Sequence, residues 1–525
     1  MKIHRIAPEV TNTYTRLALD YLNESPLLQP LVNHFPGTVG FKSAMRAREN
    51  FPQTTRQVLA HVLEEQYAAY TNDKTKEQIA KLLDQNTFTV TTGHQLNLFT
   101  GPLYFWYKIV NTIQLSEALN KQFADKHFVP VFWMATEDHD YEEVNHFFFG
   151  ENKLEATQPY GDAVGRMDAV PAREITSKLR ELMGNGPKAK ELLEIFEVAY
   201  LKKSMSEATR HLVHHFFGDD GLLVLDADHA ELKKLFRPIA TKELVESFVL
   251  SKSKQAIETL SENHKVQVNP REVNLFLLEN EKRERIDRHH GGFRISETGR
   301  VYTFEQLEAL DDQCFSPNVL LRPLYQECIL PNVAYIGGGA ELAYWLQLKD
   351  VFGYVNIPFP IVMLRNSALW LNGKTARLMK KTDCTWEQAF MPMDALRNEK
   401  TREWSQLQID FSGQRIAIQK VFDQLLDLAR QTDGSFEGAV RAEETRQLKS
   451  LDRLEKRLLK AEKRKHADQL RQLDEMRKGL YPGAVWQERR MNFSELYLAH
   501  GRDFKDFLMA ELNPLNDQLV IFEHD

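Results

Sequence analysis

Gly93-His94-Gln95, followed by Asn97 and then, beyond Gly101-Pro102, by Tyr104 and Lys108, gathers an imidazole, two amides, a phenol and an amine in one short stretch. A histidine and glutamine in such a turn can bind phosphate or polarise an acyl group, although a lone His94 is also what a satisfied structural histidine looks like. Glu137-Asp138-His139-Asp140 sets a second imidazole between carboxylates. Negative neighbours favour its imidazolium form and can fix its tautomer, so His139 is the candidate general base and Asp138 and Asp140 its candidate partners, with Glu137 beside them. The plainer reading is a solvated acidic turn that caps the next helix. These residue types would also suit a metal, but no second ligand cluster of recognised spacing accompanies them, and no metal site is expected. Gly337-Gly338-Gly339 could bring backbone N–H groups close to an anion at a helix start, or be only a tight connection. Glu341 could hold an amine, and Arg365 and Asn366 could contact substrate charges.

These groups need elements to position them. Phe88-Thr-Val-Thr-Thr92 reads as a strand stopped by Gly93, and Leu103 to Leu119 then carries apolar residues at helical spacing. Phe128-Val-Pro-Val-Phe-Trp-Met134 is almost continuously apolar, as a strand covered on both faces should be, and empties into Glu137 to Asp140. Gly221 to Asp226, Asn332 to Ile336 and Pro360 to Leu364 repeat the pattern, and a helix is expected from about Ala340 to Val351. Short apolar strands followed by turns and helices predict an α/β fold with a doubly wound parallel sheet. In such sheets ligands bind outside the carboxyl ends of the strands, where the candidate residues fall. The stretches at 150–215 and 250–325 are too long for simple crossovers and read as helical insertions.

From Ser435 to Lys478 there is no proline and, after Gly438, no glycine; Leu451, Leu454, Leu458 and Ala461 form a short heptad-like seam, interrupted at Lys465 and resumed at Leu470. Within Leu448 to Lys478 eleven Lys or Arg face six Asp or Glu, a pattern more often the solvated side of a dimerising helix than a nucleic-acid contact. A net charge of −7 over 525 residues gives no global attraction to nucleic acid or anionic lipid. The N-terminus lacks the apolar core of a signal peptide and no apolar stretch could span a bilayer, so no membrane partner is expected. Cys314, Cys328 and Cys384 have neither paired number nor CxxC spacing, which fits buried packing in the reducing cytosol.

Thr92-Gly-His-Gln-Leu-Asn-Leu-Phe-Thr-Gly-Pro-Leu-Tyr104, Pro130 to His146 with its Thr-Glu-Asp-His-Asp-Tyr core, and Asn332-Val-Ala-Tyr-Ile-Gly-Gly-Gly-Ala-Glu-Leu-Ala-Tyr344 resemble the bacillithiol biosynthesis cysteine-adding enzyme family. Gly221 to Asp226, Asn269-Pro-Arg271, Asn274-Leu-Phe276 and the charged helix ending near Leu480-Tyr-Pro482 extend the resemblance over nearly the whole chain. It implies a Rossmann-like core with helical connecting-peptide insertions and a C-terminal α-helical coiled coil that makes a homodimer. The chain is accordingly divided into a helical lead-in at 1–85, the core at 86–384, a linker and helix at 385–434, the coiled-coil helix at 435–480 and a terminal segment at 481–525.

The resemblance also implies a cytoplasmic ligase that joins the carboxyl group of cysteine to the amine of glucosaminyl malate. A carboxylate is a poor acyl donor, so ATP with magnesium is the candidate activator, and the ammonium must lose a proton to become a nucleophile. His94 and Gln95 would hold the acyl group or a phosphate; Asp138, His139 and Asp140 would orient and deprotonate the amine. The competing classes are a nucleotidyl-transferring or tRNA-handling relative and a coiled-coil interaction protein.

Overall fold

Five runs whose side chains leave no solvated face become the parallel strands of a central sheet: β1 (Thr87–His94), β2 (His127–Met134), β3 (Leu223–Asp226), β4 (Asn332–Gly337) and β5 (Ile361–Leu364). A computed structural model of the chain describes residues 1–70, 72–156, 163–279, 282–432 and 434–524. The sheet order is β5-β4-β1-β2-β3, all neighbours parallel. The order therefore reverses between β1 and β4, which opens a crevice beyond their carboxyl ends. β1 is buried along its whole length although half of it is threonine. Thr89 and Thr91 donate to Asn332 Oδ1 at 3.2 and 2.9 Å and Thr92 to the Ile336 carbonyl at 2.7 Å, so the hydroxyls bind β1 to β4 instead of costing burial energy. β1 runs two residues further than expected, through Gly93 and His94.

The first crossover helix, α1 (Tyr104–Gln122), is apolar nearly all round, which requires cover on both sides. The sheet covers one side. On the other, Trp106 sits among Phe216, Phe217, Phe493 and Phe504 with ring centroids 4.5–5.1 Å away, and each such buried side chain stabilises the fold by roughly 1.5–3 kcal/mol. Phe493 and Phe504 belong to helices Phe493–His500 and Asp503–Glu511, so part of the terminal segment belongs to the core.

The chain divides into two compact units. One comprises residues 3–369 and 485–521; the other comprises residues 1–2, 370–484 and 522–525. The core thus ends at Leu369, not at residue 384, and takes back residues 485–521, which the sequence reading left as a separate tail. In the second unit the long charged segment forms helices Gly434–Lys465 and Ala467–Leu480, breaking at His466 beside the expected interruption. Phe422, Leu426 and Ala429 of helix Ser412–Ala429 pack against Val440 of the long helix.

The insertion at 150–215 is largely helical as expected, with helices Val170–Met183, Pro187–Ala199 and Met205–Phe217. The insertion at 250–325 is not. After helix Phe248–Ser261 it forms a five-stranded antiparallel sheet of strands Leu275–Glu279, Lys282–His289, Gly292–Ile295, Val301–Tyr302 and Phe315–Pro317. Its strand signal is hidden because Lys282–His289 is charged at most positions, yet Arg283, Glu284 and Ile286 are buried. The expected helix from Ala340 to Val351 is two, α2 (Gly339–Trp345) and Lys349–Tyr354, and the lead-in also contains a strand, Lys2–Ile6. No helix among the described residues is long and apolar enough to cross a membrane.

Under the β1–β4 junction lies a buried ion pair, Arg48 with Glu327, and Asn332 Nδ2 donates to Glu327 Oε1 at 2.8 Å. Burial raises the Glu327 carboxyl to about 6 against the opposing pull of Arg48. The native state therefore holds this proton more tightly than the unfolded chain, whose glutamate titrates near 4.5. Its contribution is present below pH 4.5 and is lost as pH rises through 6, a change of about 2 kcal/mol. Urea midpoints of the wild type and Glu327→Gln between pH 4 and 7 should diverge with that slope; parallel curves would refute it.

Candidate functional site

A cavity of about 440 Å³ occupies the crevice beyond the carboxyl ends of β1, β2 and β4. Of the residues singled out in the sequence, His94, Gln95, Tyr104, Lys108, Glu137, Asp138, Gly338, Gly339, Glu341 and Arg365 line it. Segments more than two hundred residues apart in sequence therefore meet at one rim.

His94 ends β1 with its ring stacked on Tyr104, centroids 5.2 Å apart. Its Nδ1 lies 3.2 Å from the Gln95 carbonyl, which can only accept, so Nδ1 carries the proton. Burial, then the nearby Lys108 ammonium, lowers the imidazole to about 3. The ring is neutral at ordinary pH, and its bare Nε2, buried in the cavity wall, meets no hydrogen-bond partner among the described residues. Such a nitrogen is an acceptor waiting for a donor. It is too weakly basic to store a proton near neutrality.

The backbone after β1 is held in an unusual course. Gly101 has φ +62°, and a Cβ there would come within 2.6 Å of the Asn97 Cβ, so only glycine fits. Asn492 Nδ2 donates to the carbonyls of Phe99 and Gly101 at 2.9 and 2.7 Å, which binds this turn to the returning terminal segment. Asn97 itself is outside the main cavity. It lines an adjoining one of about 330 Å³ that shares Gln95, Tyr104, Glu143 and Arg489 with it.

Gln95 Nε2 donates to Asp138 Oδ2 at 2.6 Å and to Glu143 Oε2 at 2.8 Å, bringing two carboxylates together at the wall. Glu137, at the end of β2, lies 2.6 Å from Lys233 Nζ, which also reaches Asp228 at 3.1 Å. Burial, reinforced by Asp228, raises the Glu137 carboxyl against the pull of Lys233. Burial also opposes ionisation of Asp228, but its pair with Arg166 at 2.6 and 2.8 Å and the Lys233 ammonium hold it below the usual carboxylate range.

Other expected residues stand elsewhere or are already engaged. His139 and Asp140 are not on the cavity wall. Arg283 donates to His139 Nδ1 at 2.9 Å, and burial together with that guanidinium lowers the histidine, outweighing Asp138 and Asp140. The imidazolium expected from neighbouring carboxylates is therefore disfavoured. Asp140 caps the short helix Tyr141–Val144, accepting from the Glu143 N–H at 3.3 Å, the plainer of its two sequence readings. Asn366 exchanges hydrogen bonds with Asn111 at 2.9 and 2.6 Å and donates to the Asn516 carbonyl at 2.7 Å, and it is not on the cavity wall. Glu341 folds back on its own turn: Tyr335 donates to Oε1 at 2.6 Å and the Gly338 N–H to Oε2 at 2.8 Å, with Lys108 Nζ 2.5 Å away. Burial opposes its ionisation, yet these partners hold it below the usual carboxylate range. The glycine turn thus holds its own helix carboxylate, not an outside anion. Gly337 leaves room for that fold-back, since a Cβ there would approach the Glu341 Cβ to 2.9 Å.

Arg365 is held by Glu488 through two hydrogen bonds of 3.1 and 2.6 Å, and Ser367 donates to the same carboxylate at 2.6 Å. Glu488, Arg489, Asp228, Lys233, Arg283 and Arg322 had no signal in the sequence, because each acquires its place from contacts far along the chain.

Two family models divide the chain between them. Residues 1–366 match "Bacillithiol biosynthesis BshC, N-terminal Rossmann-like domain", and residues 368–524 match "Bacillithiol biosynthesis BshC, C-terminal coiled-coil domain". The chain belongs to the bacillithiol biosynthesis BshC family. Within that family it is 41% identical over 530 residues to a protein of Flavobacterium psychrophilum, covering 99% of both chains. It is 43% identical to one of Christiangramia forsetii, covering 97% of both, and 27% identical to one of Bacillus cereus, again covering 97% of both. All three bear the name "Putative cysteine ligase BshC". The boundary between the two BshC models, next to Ser367, falls two residues from the break between the compact units.

A catalytic thiol of the BshC chain itself is not expected. Burial raises the thiols of Cys314, Cys328 and Cys384, the last to about 11, and a thiol is reactive only as thiolate. Native protein at pH 7.5 should give no fast reaction with a disulfide reagent and three thiols after denaturation; one fast thiol in the folded state would contradict this.

Proposed function

We propose that the protein is a cytoplasmic ligase of bacillithiol biosynthesis that joins the carboxyl group of cysteine to the amine of glucosaminyl malate. The observation that carries this reading is the convergence of three strand ends on one cavity with a bare acceptor, His94 Nε2, beside buried carboxylates of unequal acidity. Two carboxylates whose environments push their acidities apart are the arrangement acid–base chemistry needs. Glu137 takes the proton from the ammonium, the freed amine attacks the activated acyl carbon, a C–N bond forms and the bond to the leaving group breaks. Gln95 draws Asp138 and Glu143 together at the wall, and His94 Nε2 accepts a hydrogen bond that orients a substrate.

ATP with magnesium is the proposed activator, and the donor set fits it. Asp138 and Glu143 supply the oxygens magnesium takes, and Arg489, exposed at the cavity and facing no carboxylate in the described structure, supplies a cation for phosphate. When bound, ATP supplies the leaving group a carboxylate lacks. The chain acts as a homodimer through its charged helices. Ile416, Val421, Leu428 and Leu454 are 50–58% exposed, an apolar series a second copy would cover.

The test is to incubate the purified protein with cysteine, glucosaminyl malate, ATP and magnesium, omit each in turn, and follow bacillithiol by mass spectrometry. Product that needs every organic component supports the reading; no product from the complete mixture overturns it.

A further inference from the structure

Nearly every cation on the cavity wall has its charge or its hydrogen bonds spoken for. Lys108 faces Glu341, Arg365 faces Glu488, and Arg283 donates to Ser316, His139 and the Pro317 carbonyl. Arg489 is exposed, where water can solvate it. Arg322 is different. Its guanidinium lies 5.8 Å from the Trp133 ring centroid and 5.4 Å from that of Tyr335, the Tyr344 hydroxyl stands beside it, Nη1 donates to Gln326 Oε1 at 2.9 Å, and the buried Nη2 meets no well-aligned acceptor among the described residues.

A buried guanidinium N–H without an acceptor is destabilising, and a bound anion would remove that cost. The bare Nε2 of His94 belongs to the same wall, and a Cβ on the intervening Gly93 would lie 3.6 Å from Arg322 Nη1. The cavity wall therefore offers one unmet donor on a cation and one unmet neutral acceptor. The complementary ligand is small and carries an anionic group next to a hydrogen-bond donor, which describes an amino acid.

We infer that Arg322 anchors the carboxylate of the acyl donor at the cavity wall, with His94 Nε2 accepting from that ligand's ammonium or thiol. This rests on the proposed ligase reading and adds to it the residue that selects the acyl donor. Arg322 opens the helix Arg322–Ile329, where the antiparallel insertion rejoins the core, so the insertion sets the position of the selecting group.

The experiment compares cysteine with cysteamine, which is cysteine without its carboxylate. Isothermal titration of the full-length protein, with and without a non-hydrolysable ATP analogue, should show cysteine preferred by tenfold or more. Arg322→Met should abolish the preference and Arg322→Lys keep part of it, both with wild-type circular dichroism. Equal binding of the two ligands by the wild type overturns the inference without any variant, as does a folded Arg322→Met protein that keeps the full preference. In either case continued bacillithiol formation by the wild type leaves the ligase reading standing. A wild type that neither binds cysteine nor ligates it overturns both.

Discussion

Glu137→Gln is expected to lower the rate of product formation by roughly 10²–10⁴-fold, the usual contribution of a positioned proton acceptor, while leaving the fold intact. The amide keeps the size of the side chain, and Lys233 retains Asp228 at 3.1 Å and the Gln313 carbonyl at 3.0 Å, so no buried charge is stranded. The wild-type rate should rise with pH as Glu137 ionises, with a midpoint above the ordinary glutamate value of 4.5, because burial raises this carboxyl. The limb should vanish in the Gln variant. His139→Ala, by contrast, should turn over at close to the wild-type rate, since His139 is off the cavity wall and already accepts from Arg283. A large loss in His139→Ala with an unchanged Glu137→Gln would reverse the assignment.

The second large effect concerns stability. Glu341→Ala strands the Lys108 ammonium, whose side chain is 6% exposed, without its carboxylate, and removing one partner of a buried pair costs about 3–5 kcal/mol. It also releases the Tyr335 hydroxyl and the Gly338 N–H together. The double variant Lys108→Met, Glu341→Leu leaves no unpaired charge and should lose less than Glu341→Ala alone. Urea midpoints of the wild type and these two variants test this; a double variant less stable than Glu341→Ala would show that the pair is not the main term.

What was legible in the sequence followed from local rules. β2 was readable because a strand covered on both faces is continuously apolar, and β1 because glycine follows its threonines. With the strand ends fixed, the tendency of ligands to bind beyond the carboxyl ends of open parallel sheets placed His94, Asp138 and Gly338 at one rim, and all three line the cavity. What was not legible depended on partners distant in sequence. Nothing near His139 announces that Arg283 will reach it from an insertion 144 residues on. Nothing near Glu341 shows that Lys108, not a substrate, will occupy its carboxylate. The β-insertion escaped because two of the buried residues of its longest strand, Arg283 and Glu284, are charged types that read as solvated, and their adjacency breaks the alternation that marks a strand.

Glu488 is made long after Arg365, with residues 370–484 of the second unit between them. At about 5–20 residues per second of translation, the intervening stretch keeps the nascent core without its final counter-ion for some seconds to tens of seconds. Until then Arg365 has no anion, the turn after β1 lacks the amide of Asn492, and Trp106 lacks half its aromatic cover. The wall around Arg365 and the turn after β1 are therefore completed only once residues 488–492 have been made.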